Sequence, residues 1–364
     1  MRFASLTPVT LAFLSAASVT TLCYAADAPI LPQLPTSSLI VASTVPANGD
    51  VNPYGVAFVP HGFPDGNAIH RGDVLVSNFN NSGNLQGTGT TIVSISRDGT
   101  QNLFFQGPAG LGLTTALGVL QRGVVLVGNV PTKDGSFATI QQGSLIAIDR
   151  NGKEIASFSD STLLDGPWDL AVVDMDSTAM VFVSNVLNGT VTRLLFHIGR
   201  NGEHISLDSA TQIGKGYLSR SDPAALVVGP TGLAFDANAD VLFVASTGDN
   251  AIYSIEKAST RSKAVNKGQL VYSDDAHLRG PLGLVIAPNG HLITANGDAV
   301  NGDPTQPSEL VEFTRKGRFV AQQSVDLGGQ GGAFGIAIHG SEDHLRLAAV
   351  DDITNTLEIW TVRE

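Results

Sequence analysis

The sequence predicts an all-β protein, a six-bladed β-propeller of four-stranded antiparallel blades, and three observations predict it. A short phrase recurs six times along the chain, each copy is followed by short apolar runs punctuated by turn residues, and 40 of the 364 residues are glycine. Self-similarity at a period of roughly 20–50 residues or slightly more marks solenoids and ring-forming repeats. Abundant glycine supplies the positive φ of tight turns, so many short strands are expected rather than long helices.

The recurring phrase is NPYGVAF at 52–58, TTALGVL at 114–120, GPWDLAV at 166–172, GPTGLAF at 229–235, GPLGLVI at 280–286 and GAFGIAI at 332–338. The position matched across the copies is Gly55, Gly118, Asp169, Gly232, Gly283 and Gly335, the fourth residue of each phrase and the fifth in 114–120. Each phrase leads into a second run that ends on a small or polar residue: DVLVSN at 73–78, VVLVGN at 124–129, MVFVSN at 180–185, VLFVAS at 241–246, HLITAN at 291–296 and LRLAAVD at 345–351. These runs are rich in Val and Leu, the pattern of strands with at least one buried face. Third strands follow, as in TIVSIS at 91–96, SLIAID at 144–149 and TLEIWT at 356–361. Asp98-Gly99 and Asn151-Gly152 then mark hairpins into a fourth strand, because both dipeptides accept positive φ.

The last unit holds only three such strands before Glu364, whereas SSLIVASTV at 37–45 has strand character and no partner of its own. The expectation is that 37–45 supplies the outer strand of the sixth blade and closes the ring, which removes an exposed edge. Units are expected to begin near 52, 114, 166, 229, 280 and 332, within a single domain spanning 26–364.

The phrase Gly-Pro-x-Gly-Leu-Ala-Phe, the Val-rich strand after it and the Asn250-Ala251-Ile252 that follows resemble the NHL-repeat propellers and the wider SMP-30/gluconolactonase-like superfamily. The resemblance covers roughly residues 37–362. It implies the propeller fold and leaves function open, since that fold hosts lyases, lactonases and non-catalytic binding modules. The gluconolactonase-like enzymes place a metal-binding glutamate near the first inner strand, and Asn52-Pro53-Tyr54-Gly55 offers none. The amidating-lyase propellers combine zinc-binding histidines with a structural disulfide, and this chain has one cysteine, Cys23.

That cysteine lies in residues 1–25, where Arg2, an apolar stretch from Val9 to Val19 and Cys23-Tyr24-Ala25 compose a secretory signal peptide. The stretch is short for a span, which needs about 20 residues. Bulky Leu22 before Cys23 argues against lipid attachment. Cleavage after Ala25 or Ala26 leaves a thiol-free chain with a periplasmic or extracellular location. The net charge of −12 repels phosphate backbones and anionic lipid, which argues against nucleic acid and membrane-surface partners. Asn80-Asn81-Ser82 and Asn188-Gly189-Thr190 fit glycosylation acceptors where the host glycosylates.

Chemistry on a propeller gathers where loops meet at a mouth of the central channel. Alignment of the second-run ends gives Asn78, Asn129, Asn185, Ser246, Asn296 and Asp351, one per unit. Such an oxygen-rich ring suits a polar ligand or a hard cation, Ca²⁺ or another divalent ion. The alternative is that these side chains start turns by bonding nearby backbone. Trp168 and Asp169 break the repeat phrase in the third unit, and a carboxylate beside an aromatic ring binds a sugar or a cation, or acts as a general base when its pKa is raised. Asp169 and Asp351 are therefore the candidate bases. His61, His70, His197, His204, His277, His291, His339 and His344 show no metal-ligand spacing. Segments 130–143 and 297–308 are expected to overhang the mouth. Taken together the residues favour an exported, monomeric binding module for a small polar ligand or a partner protein, with a metal-assisted hydrolase or lyase as the alternative; whether the chain is an enzyme stays open.

Overall fold

The structure is a computed structural model that describes residues 28–297, 300, 302, 309–325, 332–341 and 344–363. Residues 1–27, which hold Cys23 and the expected signal peptide, and most of 297–308 lie outside the described residues.

Six four-stranded antiparallel units form the ring. After β1 (Ile40–Ser43), the first blade is β2 (Val51–Phe58), β3 (Val74–Asn80), β4 (Thr91–Ile95) and β5 (Gln101–Gln106). The second is β6 (Leu113–Leu120), β7 (Val124–Asn129), β8 (Ser144–Asp149) and β9 (Glu154–Phe158). The third is β10 (Pro167–Asp174), β11 (Thr178–Asn185), β12 (Thr190–Ile198) and β13 (Ile205–Lys215). A hairpin, β14 (Arg220–Asp222) with β15 (Leu226–Val228), precedes the fourth blade, β16 (Pro230–Asp236), β17 (Val241–Ser246), β18 (Ala251–Glu256) and, after β19 (Val265–Asn266), β20 (Gln269–Tyr272). Short β19 instead adds in parallel to β13 of the third blade. The fifth is β21 (Pro281–Ile286), β22 (Leu292–Asn296), β23 (Glu309–Phe313) and β24 (Phe319–Ser324). The sixth is β25 (Ala333–Ser341), β26 (His344–Asp351), β27 (Thr356–Arg363) and β1.

The ring closes as the sequence predicts. β1 pairs antiparallel with β27, Ile40 opposite Ile359 and Ser43 opposite Thr356. Closure is reinforced on both sides, because Thr44 N–H and hydroxyl both donate to Asn355 O at 2.9 Å while Thr44 O accepts from Asn78 Nδ2 at 3.0 Å. A second N-terminal contact docks the chain on the fifth blade: the buried carboxylate of Glu312 accepts from the N–H groups of Ile30 and Leu31 and from His291 Nδ1 at 2.6 Å.

Apolar side chains fill the seams between neighbouring blades, for example Leu75, Phe105 and Val127 between the first and second, or Phe182, Leu242 and Ile255 between the third and fourth. The innermost strands converge so closely that a side chain is excluded at one position in most blades. A Cβ on Gly335 would sit 1.8 Å from Tyr54 O, and one on Gly232 would sit 2.1 Å from Leu282 O. Each innermost strand has a register shift next to this position. In the second blade the shift spans Leu113 to Leu117, and Leu117 opposes Val127 as Leu233 opposes Val244. The residue equivalent to the repeat glycine is therefore Ala116, not Gly118, because a longer bulge displaces the phrase by two residues. Among the described residues no helix is long and apolar enough to cross a membrane.

Candidate functional site

The innermost strands run side by side down the axis, and a plug of side chains divides the channel into two cavities. Tyr54 stacks on Phe79 and tilts against Phe334, with ring centroids 4.7 Å apart in each case, and Trp168 meets both Tyr54 and Phe79 edge-on. Above this plug, where the innermost strands begin, an upper mouth of about 410 Å³ opens; below it lies a lumen of about 470 Å³.

All six residues of the sequence-derived ring are buried at the ends of their second strands. Their hydrogen bonds run sideways into the blade or the segment beside it. Asn78 Nδ2 donates to Thr91 Oγ1, Asn129 Oδ1 accepts from Ser144 N and Oγ, and Asn185 Nδ2 donates to Thr190 and Thr192 hydroxyls. Ser246 donates to Asp249, Asn296 Oδ1 accepts from Arg279 N, and Asp351 accepts from Ile353 N and Thr354 Oγ1. Side chains alternate along a strand, so the residue one step beyond each ring member turns to the axis. Phe79, Val130 and Val186 enter the cluster around the plug, while Thr247, Gly297 and Asp352 line the upper mouth.

The upper mouth is floored by Tyr54, Trp168 and Phe334 and bordered by Asn52, Gln86 and Asp352. Burial first, and the charge of Asp352 second, push the Tyr54 phenol well above its ordinary value, with the Asn52 side-chain hydrogen bond acting the other way. Tyr54 is thus a neutral hydrogen-bonding group here. Asn52 takes a left-handed φ of 61°, fixed by its N–H donating to Asn355 Oδ1 at 2.7 Å. The β14–β15 hairpin contributes Ala224, Ala225, Val227 and Val228 to the lining. Gln86 Nε2 ties this hairpin across the mouth by donating to Ala224 O at 2.7 Å. Leu226, buried against the plug, holds a φ of 63° that asparagine and glycine adopt readily and leucine does not. Three lining residues carry a buried polar atom with no protein partner: Asn52 Oδ1, Gln86 Oε1 and Trp168 Nε1. Segment 130–143 reaches the same end of the ring, where Gly135, Ser136 and Phe137 face Gln86 and the hairpin.

Trp168 and Asp169 are adjacent but serve different cavities, as alternation requires: Trp168 faces the upper mouth and Asp169 the lumen. Asp169 stands where other blades have glycine or alanine, and it is ringed by Leu117, Leu170, Leu233 and Ile336. Its Oδ1 accepts from Leu170 N at 2.7 Å, and Leu233 N of the next blade also reaches the carboxyl. Enclosure by protein raises its pKa well above the usual carboxylate range despite those two donors. Asp169 is half-buried, lining the lumen while protein surrounds the site.

The histidines occupy unrelated environments. His291 is buried against Glu312, His277 stacks on Phe319 at 3.7 Å and bonds Asp274, and His61 meets His339 at the far end of the lumen. Among the described residues no three His, Cys, Asp or Glu side chains gather to hold a metal. The acceptor Asn80 is buried, with its Nδ2 donating to Asn84, whereas Asn188 is partly exposed.

No family model matches the chain, and no curated protein sequence matches it. Solved structures do match across most of its length. A gluconolactonase from Xanthomonas campestris is 12% identical, covering 86% of this chain and 87% of its own, with a TM-score of 0.50. A functionally unknown protein from Desulfotomaculum acetoxidans is 14% identical, covering 86% and 83%, also at 0.50. The calcium-binding protein regucalcin from Agrobacterium tumefaciens is 14% identical, covering 90% and 97%, at 0.49. The chain has a six-bladed β-propeller fold, and its likeness to the gluconolactonase is one of fold alone.

Proposed function

We propose that the protein is an exported propeller that binds a small polar ligand at the upper mouth. The observation that carries the reading is the set of unpartnered polar atoms, Asn52 Oδ1, Gln86 Oε1 and Trp168 Nε1, around an aromatic-floored cavity. A buried polar group left without a partner costs about 1–3 kcal/mol; these three atoms are covered, so a ligand with both donors and acceptors relieves that cost by shifting the side chains over them. A volume near 410 Å³ lies in the range of small-molecule sites, and three aromatic rings supply flat contact area. Asp352 adds one negative charge, which favours neutral or cationic ligands over anions.

The test is a ligand screen by thermal melting, followed by calorimetric titration of each hit into the wild type and into Trp168→Phe. Trp168→Phe keeps most of the ring and deletes the indole N–H, so affinity is expected to fall roughly tenfold, about 1.4 kcal/mol. Undiminished affinity in this variant would remove the upper mouth from consideration. Recovery of each hit after incubation separates binding from the hydrolase or lyase alternative: an altered product assigns catalysis.

A divalent cation is a second occupant of the same mouth. Amide oxygens of Asn52 and Gln86 without partners suit a hard cation, but among the described lining residues Asp352 is the one carboxylate. Sites with so little charge fall at the weak end of calcium affinity, about 10⁻⁴–10⁻³ M. Ca²⁺ is thus expected to raise the melting temperature only at millimolar concentration, and stabilisation at micromolar Ca²⁺ would contradict this donor set.

A further inference from the structure

The lumen below the plug holds a negative charge that no cation of the protein balances. Asp169 is the one titratable side chain among the described lining residues, and Thr115 is the one other polar side chain there. The carboxyl accepts from Leu170 N and Leu233 N, and no charged group among the described residues pairs with it. A carboxylate offers about four acceptor positions, so two donors leave about two of them to the cavity. The wall nevertheless exposes more polar than apolar surface, and the Thr115 hydroxyl already donates to Trp168 O, so the main chain supplies much of it. The topology explains why. β2, β6, β10, β16, β21 and β25 are each an edge strand of their sheet, and an edge presents a row of unpaired N–H and C=O groups.

We propose that the lumen is a second binding site, separate from the upper mouth, for a small primary ammonium ion. Its charge pairs with Asp169, and its three N–H groups divide between the carboxylate and main-chain carbonyls of the strand edges. The cavity, about 470 Å³, is of small-molecule size. One carboxylate matches one positive charge, whereas a calcium ion takes 6–8 oxygen ligands and several acidic groups for tight binding. The other titratable groups of the innermost strands face elsewhere: Tyr54 floors the upper mouth, Asp174 accepts from Gln121 N, Asp236 pairs with Arg315, and His339 stacks on Phe58. Arg97 and Arg346 belong to the first and sixth blades, across the ring from Asp169 and Leu233 in the third and fourth. Enclosure raises the pKa of Asp169, and a bound cation opposes that shift. The ion binds the ionised carboxyl, so where Asp169 is protonated in the free protein its binding releases that proton and strengthens as pH rises.

The test is calorimetric titration of a chain that starts at residue 27 with propylammonium, tetramethylammonium and 1-propanol, at pH 6 and pH 8. Propylammonium is expected to bind roughly tenfold or more tightly than tetramethylammonium, which has no N–H, or propanol, which has no charge, and more tightly at pH 8 than at pH 6. Asp169→Asn keeps the volume and an oxygen for Leu170 N–H, and it is expected to weaken propylammonium roughly tenfold or more and to remove the pH dependence. Asp352→Asn, titrated in parallel, distinguishes the two cavities. The proposal is overturned if propylammonium does not bind, if tetramethylammonium or propanol binds as tightly, if Asp169→Asn keeps the wild-type affinity, or if the loss follows Asp352→Asn instead, which would put the ion in the upper mouth. The upper-mouth reading is tested apart from this one, by Trp168→Phe.

Discussion

A chain that starts at residue 46 is expected to aggregate or to melt about 10 °C below one that starts at residue 27. Removing β1 strips the partner strand from β27 and exposes the row of backbone donors and acceptors between Thr356 and Arg363. It also removes Thr44, and with it the bonds to Asn355 and Asn78 that join the sixth blade to the first. Buried Ala42 and partly buried Ile40 leave the seam between those blades. Several lost hydrogen bonds at about 0.5–1.5 kcal/mol each sum to about 5 kcal/mol, and each kcal/mol shifts a domain of this size by about 2 °C. An unpaired edge additionally invites intermolecular pairing. The truncation removes the docked segment at Ile30 and Leu31 as well, so Glu312→Gln, which perturbs that contact and the bonds to His291 and Asn289 but leaves β1 in place, bounds its share of the effect. Light scattering and melting together decide the matter: a truncated chain that stays monomeric with an unchanged melting temperature would show that β1 does not close the ring.

Ring closure was legible because the missing strand and the orphan strand are both local patterns. The same holds for the innermost strands, whose Pro and Gly positions mark a bulge that every blade needs for close approach. Alignment failed by two residues in the second blade, where Thr114, Thr115 and Ala116 fill a longer bulge and Gly118 only imitates the phrase. The strand-end ring was located in sequence, but its direction was not, since a period of two sends Asp351 into the blade and Asp352 to the mouth. Trp168 and Asp169 were visible as departures from a repeat, the kind of signal that a single sequence can supply. The β14–β15 hairpin was hidden in a variable segment without strand periodicity, and Gln86 carried no signal beyond its place in a turn. His61 and His339 are 278 residues apart and meet only because the ring closes.

Asp169→Asn is expected to stabilise the protein at neutral pH, and by more at pH 8 than at pH 4. The wild-type carboxyl sits where the repeat elsewhere keeps glycine or alanine, and enclosure raises its pKa well above the 3.8 of a free aspartate. The folded state therefore holds its proton to higher pH than the unfolded state does. Between the unfolded and folded pKa values the folded chain binds more protons, so stability falls as pH rises through that window. Each unit of separation corresponds to about 1.4 kcal/mol. Because the side chain is only half-buried, the full effect is discounted, and a gain of about 1 kcal/mol or more at pH 8 is expected for the variant, roughly 2 °C in melting temperature. Asparagine keeps an oxygen for Leu170 N–H and has no proton to lose, so the difference between variant and wild type isolates this one group from every other titration. Parallel melting curves from pH 4 to pH 8 are the measurement. A difference that stays flat across the range would mean that Asp169 ionises as a solvated carboxylate does, and the lumen would then be a wet passage rather than an enclosed cavity.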